Sequence, residues 1–325
     1  MLETILPIET FSLPTPYAVG PVNAYAIIDD PITVIDAGVN TVDSENALKL
    51  GFAAKGLFLE SVQRILITHA HPDHYGLVPT IMKMSGAIAY MGEEEIARIF
   101  DNRTKWELGR LLTEAGFPPE LLQEMAERDR QLSKVHQVTQ LVCEPIKDGD
   151  IFEFRDFMLV AVALPGHTGG HLGFFEPATG TMFAGDTLLP HVSPNPLLEP
   201  ILEPETDLPA QRRRSLKQYL ESLDKLESLD LKMVYPGHGP VITDPNSVIH
   251  YMREHHTRRL DVVFDRLTHD GKTAYEVSQE LYPNVNGYDH FLALSEVVGH
   301  LDVLVEQARA LPETREDGVE YFARN

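Results

Sequence analysis

The sequence predicts a layered α/β fold, and three observations indicate it. Short apolar runs of strand character alternate with helical segments in the first part of the chain. Four apolar runs end in a turn that contains glycine and carries histidine or aspartate. Residues 93–140 have almost continuous helical composition, which indicates a helical insertion. Together these features predict a sheet-based domain whose reactive side chains lie at strand ends.

Composition limits the class of protein. The chain has 325 residues, 43% of them hydrophobic, which suits a soluble protein with one large and one small domain. No run approaches the roughly 18 apolar residues of a membrane span. No basic residue precedes Lys49, as a secretory signal would require, so we expect a cytoplasmic protein without membrane contact. Cys143 is the single cysteine, which excludes an internal disulfide and disfavours a thiolate zinc site.

The N-terminal region begins with strands. Residues 25–28 and 32–35 are apolar runs separated by an Asp-Asp-Pro turn, which predicts a hairpin. The second run ends at Asp36, which could orient a neighbouring loop or could simply form a turn. Residues 41–56 read as a helix with Thr41 or Asp43 at its N-cap.

The next strand leads into the motif that dominates the sequence. Residues 65–67 are apolar and two of the three are β-branched. They are followed within seven residues by four side chains that commonly bind metals: His69, His71, Asp73 and His74. In an extended segment, residues two apart face the same side, whereas the proline before Asp73 bends the chain. Two adjacent sets of ligands therefore indicate two metals.

Two segments are expected to form the walls of a substrate pocket and to set the size of the substrate. The helical insertion, broken near residues 116–119, has the length and composition of a hairpin that could serve as a lid. Residues 188–209 form a second such segment, with six prolines and His191. Both could equally form an oligomer interface, so a homodimer is a possible assembly.

The other strand ends carry single candidates. His167 and His171 flank a Gly-Gly pair, and the glycines would allow the backbone to approach a bound ion. We expect His167 to be a ligand and His171 to support the ligands. Asp186 and His238 each follow a short apolar strand, and an aspartate at such a position can bridge two cations.

In these motifs the chain resembles the metallo-β-lactamase superfamily, over residues 15–243. The resemblance implies an αββα sandwich with a metal site at one edge of its two sheets. It also implies that His69, His71 and His167 hold one metal, that Asp73, His74 and His238 hold the second, and that Asp186 bridges them. Asp36 matches a further family motif. Asp73 and Asp186 would thus act in catalysis as well as in metal binding.

Nitrogen and oxygen donors of this kind suit zinc first, and iron or manganese as well. Two such cations would activate a bridging water as hydroxide at neutral pH and polarise the bond under attack. Hydrolysis is the natural reaction for such a centre, because it needs no serine or cysteine nucleophile.

The C-terminal residues 246–325 are predicted to form a separate module after a catalytic domain of residues 1–245. Three helices and a terminal strand resemble the winged-helix module that some members of the superfamily carry. Residues 291–310 contain a single basic residue, Arg309, so we expect a structural role and no binding of DNA. The helical histidines of this module are expected to be exposed and not to bind metal: His255, His256, His290 and His300.

The substrate is the least constrained property. A small acyl thioester or ester is favoured, as in glyoxalase II relatives, because a thiolate leaves without a general acid. A phosphodiesterase or endoribonuclease is the alternative, although a net charge of −22 opposes nucleic acid. A lactonase also stays open. A binding or regulatory protein with a vestigial site is a third possibility, but the complete ligand set argues against it. Arg212, Arg213 and Arg214 form the one obvious anion anchor and are expected to start a surface helix.

Overall fold

The computed structural model describes residues 6–135, 141–201 and 211–325. One sheet has six strands in chain order. They are β1 (Ile8–Leu13), β2 (Val22–Ile27), β3 (Thr33–Ile35), β4 (Arg64–Ile67), β5 (Ile88–Gly92) and β6 (Cys143–Ile146). The first three strands pair antiparallel and the last four pair parallel, so β3 belongs to both arrangements.

The second sheet has five strands. They are β7 (Ile151–Glu153), β8 (Met158–Ala163), β9 (Leu172–Glu176), β10 (Thr181–Gly185) and β13 (Met233–Pro236). Their order is β13-β10-β9-β8-β7, and β13 runs parallel to β10. Between β10 and β13 the chain forms a two-stranded ribbon, which consists of β11 (Pro200–Ile201) and β12 (Gln211–Arg212).

The two sheets face each other across an apolar core. Ile27 and Leu66 of the first sheet pack in one cluster with Phe174 and Phe183 of the second. The outer face of the first sheet packs against α1 (Val42–Ala54) and α3 (Val78–Ser85), and that of the second packs against α7 (Ser215–Ser228). The layers are therefore helix, sheet, sheet, helix, which confirms the predicted fold class.

The predicted N-terminal elements are also confirmed. β2 and β3 form the hairpin, and the side chain of Thr41 caps α1 by accepting a hydrogen bond from the backbone N–H of Ser44. A short 3₁₀ turn (Leu59–Ser61) precedes β4, and the one-turn helix α2 (Pro72–Tyr75) follows it. Local propensity and capping determine these elements, which is why sequence patterns locate them.

The insertion differs from the predicted hairpin. It contains three helices, α4 (Glu93–Phe100), α5 (Asn102–Glu114) and α6 (Pro119–Val135). The additional break is at Asp101, whose extended backbone ends α4 and whose side chain caps α5 at the N–H of Arg103. Residues 136–140, the predicted end of the insertion, lie outside the described residues.

The C-terminal region contains helices and a small sheet. Its elements are α8 (Pro245–Phe264), β14 (Lys272–Thr273), α9 (Ala274–Leu281), α10 (Asp289–Glu306), β15 (Ala310–Thr314) and β16 (Glu320–Arg324). The predicted capping box at Thr273 and Glu276 is present. Phe291 and residues 293–304 of α10 are buried. The apolar residues of α8 and α10 share one core cluster with β8, β10 and α7, and both helices pack directly against α7.

The predicted boundary at residues 245 and 246 and the winged-helix resemblance both stay predictions. Among the helices in the described part of the chain, none combines the length and apolar character needed to cross a membrane.

Candidate metal centre

Five segments bring the candidate ligands to one edge of the sandwich. The loop after β4 carries His69 and His71, and α2 carries Asp73 and His74. The other three candidates follow β8, β10 and β13, namely His167, Asp186 and His238. All seven predicted ligands fall into two groups of donor atoms that lie close together.

The first group is built from three imidazoles. Nδ1 of His71 lies 2.9 Å from Nε2 of His69 and 3.1 Å from Nε2 of His167. Oδ2 of Asp186 lies 4.0 Å and 3.7 Å from the same two Nε2 atoms. Burial, followed by the neighbouring histidines, holds the pKa of His69 well below its ordinary value. The ring nitrogens therefore offer lone pairs and not charged N–H groups.

The second group combines carboxylates and imidazoles. Nε2 of His238 lies 3.3 Å from Oδ2 of Asp73 and 3.7 Å from Oδ2 of Asp186. Nε2 of His74 lies 3.5 Å from Oδ1 of Asp186. Asp186 thus contacts both groups and occupies the position that a bridging carboxylate requires.

Hydrogen bonds on the far side of the rings fix the tautomers. Nδ1 of His167 donates to the carbonyl of Asn195, and Nδ1 of His238 donates to the carbonyl of Pro21, each at 2.9 Å. Nδ1 of His74 lies 2.8 Å from Oδ2 of Asp36. Because a protonated Nδ1 leaves a lone pair on Nε2, all three rings present metal-binding nitrogens to the site.

The buried polar atoms test whether the site fits a cation. Nε2 of His74, Nε2 of His238 and Oδ1 of Asp186 are buried without a hydrogen-bond partner in the described residues. Such atoms are costly to bury unless they bind something. A divalent cation in each group would satisfy all of them, so the residues fit two metals with nitrogen and oxygen ligands.

Charge within the site is complementary. Burial opposes the charged form of His74, but the carboxylates of Asp186, Asp36 and Asp73 outweigh it and hold the pKa of His74 well above its ordinary value. Without a cation His74 therefore carries a second proton on Nε2, and a bound cation would replace that proton. Burial likewise opposes ionisation of Asp186, yet the neighbouring His74, His238 and His167 keep its pKa below the usual range. Asp186 is therefore an anion that can share its two oxygens between cations.

Asp36 orients ligands of both groups. Its carboxylate accepts hydrogen bonds from the backbone N–H of Thr68 at 2.9 Å and from the Thr68 hydroxyl at 2.9 Å. Because that hydroxyl donates to Asp36, it accepts from Nδ1 of His69 at 3.0 Å. The same carboxylate holds His74 directly, so of the two roles open to Asp36 the structure shows the orienting one. Its backbone φ of 55° aims the side chain back into the site.

His171 supports the centre, as predicted, and does not contribute a ligand atom. Its Nε2 accepts the backbone N–H of Asp186 at 3.1 Å, and its Nδ1 lies 3.1 Å from the hydroxyl of Thr187. Both ring nitrogens are thus engaged in holding the Asp186 turn. His191 is exposed and belongs to neither donor group.

The Gly-Gly pair makes room for neighbouring side chains. A Cβ at Gly169 would collide with the guanidinium of Arg213, and a Cβ at Gly170 would lie 2.8 Å from Cβ of Glu94. The approach of this backbone to a bound ion stays a prediction.

Sequence reasoning missed three residues that hold the ligands: Thr68, Glu95 and Asn195. Thr68 could have been found, since it directly precedes His69 at the strand end. Glu95 lies in a run of three glutamates and Asn195 in a proline-rich loop, where no local pattern marks them.

The three arginines do not form a free surface cluster. Arg212 pairs with Asp302 at 2.6 Å and with Glu320 at 2.7 Å, and Arg214 also pairs with Asp302. Arg213 pairs with Glu94 at 2.5 Å. Arg214 does precede α7, but ion pairs tie the cluster to Glu94 of the insertion and to Asp302 and Glu320 of the C-terminal region.

The helical histidines also differ from expectation. His256 and His300 are buried, and His255 and His290 are half-buried, because α8 and α10 pack against each other and against α7. His300 Nδ1 donates to the Glu296 carbonyl at 2.6 Å, so His256 Nδ1 donates to His300 Nε2 at 3.2 Å. The hydroxyl of Ser193 then donates to His256 Nε2 at 2.9 Å. His255, His256 and Glu296 lie near one another, but these bonds engage both His256 nitrogens.

Comparison with known proteins agrees with this geometry. The family model described as the metallo-beta-lactamase superfamily matches residues 17–238. The chain is 32% identical over 313 residues to the probable metallo-hydrolase YqjP of Bacillus subtilis, covering 95% of each protein. It is also similar to the crystal structure of a metallo-beta-lactamase family protein from Thermus thermophilus, with a TM-score of 0.81, 28% identity and coverage of 98% of this chain and 99% of that one.

A shorter match concerns the atrochrysone carboxyl ACP thioesterase of Aspergillus fumigatus. It is 31% identical over 99 residues, which span 30% of this chain and 26% of that protein. The full-length matches and the family model decide the assignment. The chain belongs to the metallo-beta-lactamase superfamily.

Proposed function

We propose that this protein is a dinuclear metal-dependent hydrolase of small acyl thioesters or esters. The observation that carries the proposal is the pair of adjacent donor groups that share Asp186. The relative from Bacillus subtilis is named a probable metallo-hydrolase, which supports the reaction class.

The donor set supports the metals. His69, His71 and His167 would hold one cation, Asp73, His74 and His238 the second, and Asp186 both. When bound, two divalent cations lower the pKa of a coordinated water towards about 7 and stabilise developing negative charge. Zinc is proposed first because imidazole and carboxylate ligands suit it, and iron and manganese are the alternatives.

The protein residues have their own roles in this scheme. Asp186 keeps its negative charge between the two groups, and Asp73 sits beside it on the second group. The carbonyls of Asn195 and Pro21 and the carboxylate of Asp36 keep the protons of three rings away from the site. The centre is thus assembled before substrate arrives, which favours stabilisation of a transition state over rearrangement.

Thioesters are proposed as substrates on two grounds. The atrochrysone relative is named an acyl-carrier-protein thioesterase, although its match is short. A thiolate is also a good leaving group that needs no protonation, and this suits a site whose imidazoles face inward as metal-binding lone pairs. RNA is less favoured because the net charge is −22 and because most of α10 is buried against α7, α8 and α9.

A side-by-side assay tests the proposal. The zinc-loaded protein would be given acyl thioesters, aryl esters, lactones, bis-p-nitrophenyl phosphate and single-stranded RNA, with the His71→Ala variant as control. We expect thioester or ester turnover that the variant lacks. Robust RNA or phosphodiester cleavage lost in the variant, without acyl turnover, would replace the proposal with a nuclease.

A further inference from the structure

Glu95 is a buried glutamate that no sequence motif marks. It lies in the first turn of α4, the first helix of the insertion, and is only 1% exposed, whereas the adjacent Glu93 and Glu94 are exposed. A buried carboxylate needs strong hydrogen-bond donors to compensate for lost hydration.

The donors come from the two loops that carry the first group of ligands. Oε2 of Glu95 accepts the backbone N–H of Ala70 at 2.7 Å, and Ala70 lies between His69 and His71. Oε1 accepts the hydroxyl of Thr168 at 2.6 Å and the backbone N–H of Gly170 at 2.9 Å, both just after His167. One carboxylate therefore connects the two loops, with one oxygen on each.

A second glutamate strengthens the same loop. Glu199 accepts the backbone N–H of Gly169 at 2.8 Å, and it is paired with Arg98, which lies one turn after Glu95 on α4. The loop after His167 is thus held at consecutive residues by α4 and by the segment before β11.

We propose that Glu95 is a positioning residue for the metal held by His69, His71 and His167. By fixing the two loops relative to each other, it sets the separation of the three ring nitrogens. The second group does not depend on this contact, because its ligands are held by Asp36 and by the carbonyl of Pro21. The first helix of the insertion is therefore part of the metal centre.

This inference rests on the proposed function only in taking the first group to bind a metal. The test measures metal affinity, without reference to turnover. Metal-free protein would be titrated with Zn²⁺ against a chromophoric chelator, which yields two dissociation constants. The variant is Glu95→Gln, which keeps the volume but turns an N–H₂ group towards at least one of the three donors. The matched control is Glu93→Gln, which makes the same charge change at an exposed site of the same helix.

We expect Glu95→Gln to weaken one of the two Zn²⁺ sites by about 10- to 100-fold and the other by less than about threefold. Glu93→Gln should leave both unchanged. Thr168→Val removes only one of the three donors to Glu95 and should weaken the same site by a smaller factor. It replaces Glu95→Gln as the test variant if Glu95→Gln does not fold. If Co²⁺ replaces Zn²⁺, the absorption spectrum of Glu95→Gln should differ from the wild-type spectrum only for the ion bound by the first group of ligands.

Two results would overturn the inference. One is a Glu95→Gln protein, or a Thr168→Val protein where the first is unfolded, whose two constants both match the wild type. The other is an equal weakening of both sites, which indicates general destabilisation. A wild-type protein that binds two Zn²⁺ but hydrolyses no acyl substrate would contradict the proposed function and leave this inference standing.

Discussion

At the scale of single residues, Asp36 links ligands of both metal groups through hydrogen bonds. Its carboxylate accepts from Thr68 and from His74 and so reaches ligands of both metal groups. The proton on His74 is on Nδ1 because Asp36 accepts it, and Nε2 is free for a cation as a consequence.

Asp36→Asn should therefore impair the second metal. In either orientation of the amide, its N–H₂ group faces a donor, either Thr68 N–H or His74 Nδ1–H. If it faces His74, the imidazole moves its proton to Nε2, the atom that would bind the cation. We expect about 10- to 100-fold weaker binding of one Zn²⁺ and a similar loss in kcat/KM. Asparagine tolerates the positive φ, so the backbone should not change.

Zinc titration and steady-state kinetics measure both effects. The control is Asp43→Asn, at an exposed site in the first turn of α1. An Asp36→Asn protein with wild-type zinc affinity would show that the proton on His74 is set by something other than this carboxylate.

His256 makes stability dependent on pH. Burial, followed by the neighbouring His300, lowers the pKa of His256 to about 2, against 6.5 for the free side chain. Burial also lowers the pKa of His300 to about 4. Below pH 6.5 the unfolded chain binds protons at these histidines and the folded chain does not. The stabilisation is therefore complete above pH 6.5 and declines as the pH falls, towards about 4 for His300 and towards about 2 for His256. At pH 5 the loss is about 2 kcal/mol for each histidine.

His256→Gln should remove one of these contributions. Between pH 7.5 and pH 5, the metal-free variant is expected to lose about 2 kcal/mol less unfolding free energy than the metal-free wild type. Denaturant unfolding at the two pH values measures this difference, and other buried histidines cancel because both proteins contain them. If the two proteins lose the same unfolding free energy between pH 7.5 and pH 5, His256 binds a proton in the folded state at pH 5.

At the scale of elements, α4 and α5 of the insertion are anchored in the core and at the metal centre, and the lid stays a prediction. Leu111, Leu112 and Phe117 are buried in the same core cluster as α7 and α10. Glu95 and Arg98 bind α4 to the loop after His167, directly and through Glu199. Deletion of the whole insertion would therefore disrupt the core and the metal centre together.

Leu112→Ala tests this interpretation. A buried leucine in the main core should cost about 2 to 5 kcal/mol of unfolding free energy when truncated. Trp106→Ala, on the same helix, is the control, since Trp106 is 66% exposed and should change stability by less than about 0.5 kcal/mol. Denaturant unfolding compares the two. If Leu112→Ala behaves like Trp106→Ala, α5 is not part of the folding core.

The elements also show which features sequence patterns can predict. The hairpin of β2 and β3, the cap at Thr41 and the capping box at Thr273 depend on neighbouring residues, so the patterns located them. The break at Asp101 was not predicted, because Asp101 ends α4 and caps α5 within a stretch of almost continuous helical composition. Residues 202–210, part of the predicted proline-rich wall, lie outside the described residues.

The same division applies to the site. The seven candidate ligands follow apolar strands, and the ends of neighbouring strands lie at one edge, which is why their clustering could be predicted. Their division into two groups came from the family resemblance. Glu95, Asn195 and the burial of His256 depend on contacts between segments that are far apart in the chain. Only the packing of the insertion and the C-terminal helices creates these contacts.

At the scale of the whole molecule, the C-terminal region shares a core with the second sheet and supports the centre. Nδ2 of Asn195 donates to the carbonyl of Leu292 at 2.8 Å, and the carbonyl of the same Asn195 receives the Nδ1 proton of His167. A chain of contacts thus runs from α10 to a candidate ligand. The cytoplasmic location and the homodimer stay predictions.

The most direct test of the dinuclear centre is the metal content of purified protein, measured by elemental analysis without chelators. We predict two divalent ions per chain in the wild type and a loss of about one in both His71→Ala and His238→Ala, with acyl hydrolysis abolished in His71→Ala. A wild-type protein that hydrolyses acyl substrates with one metal or none per chain would contradict the two-metal centre.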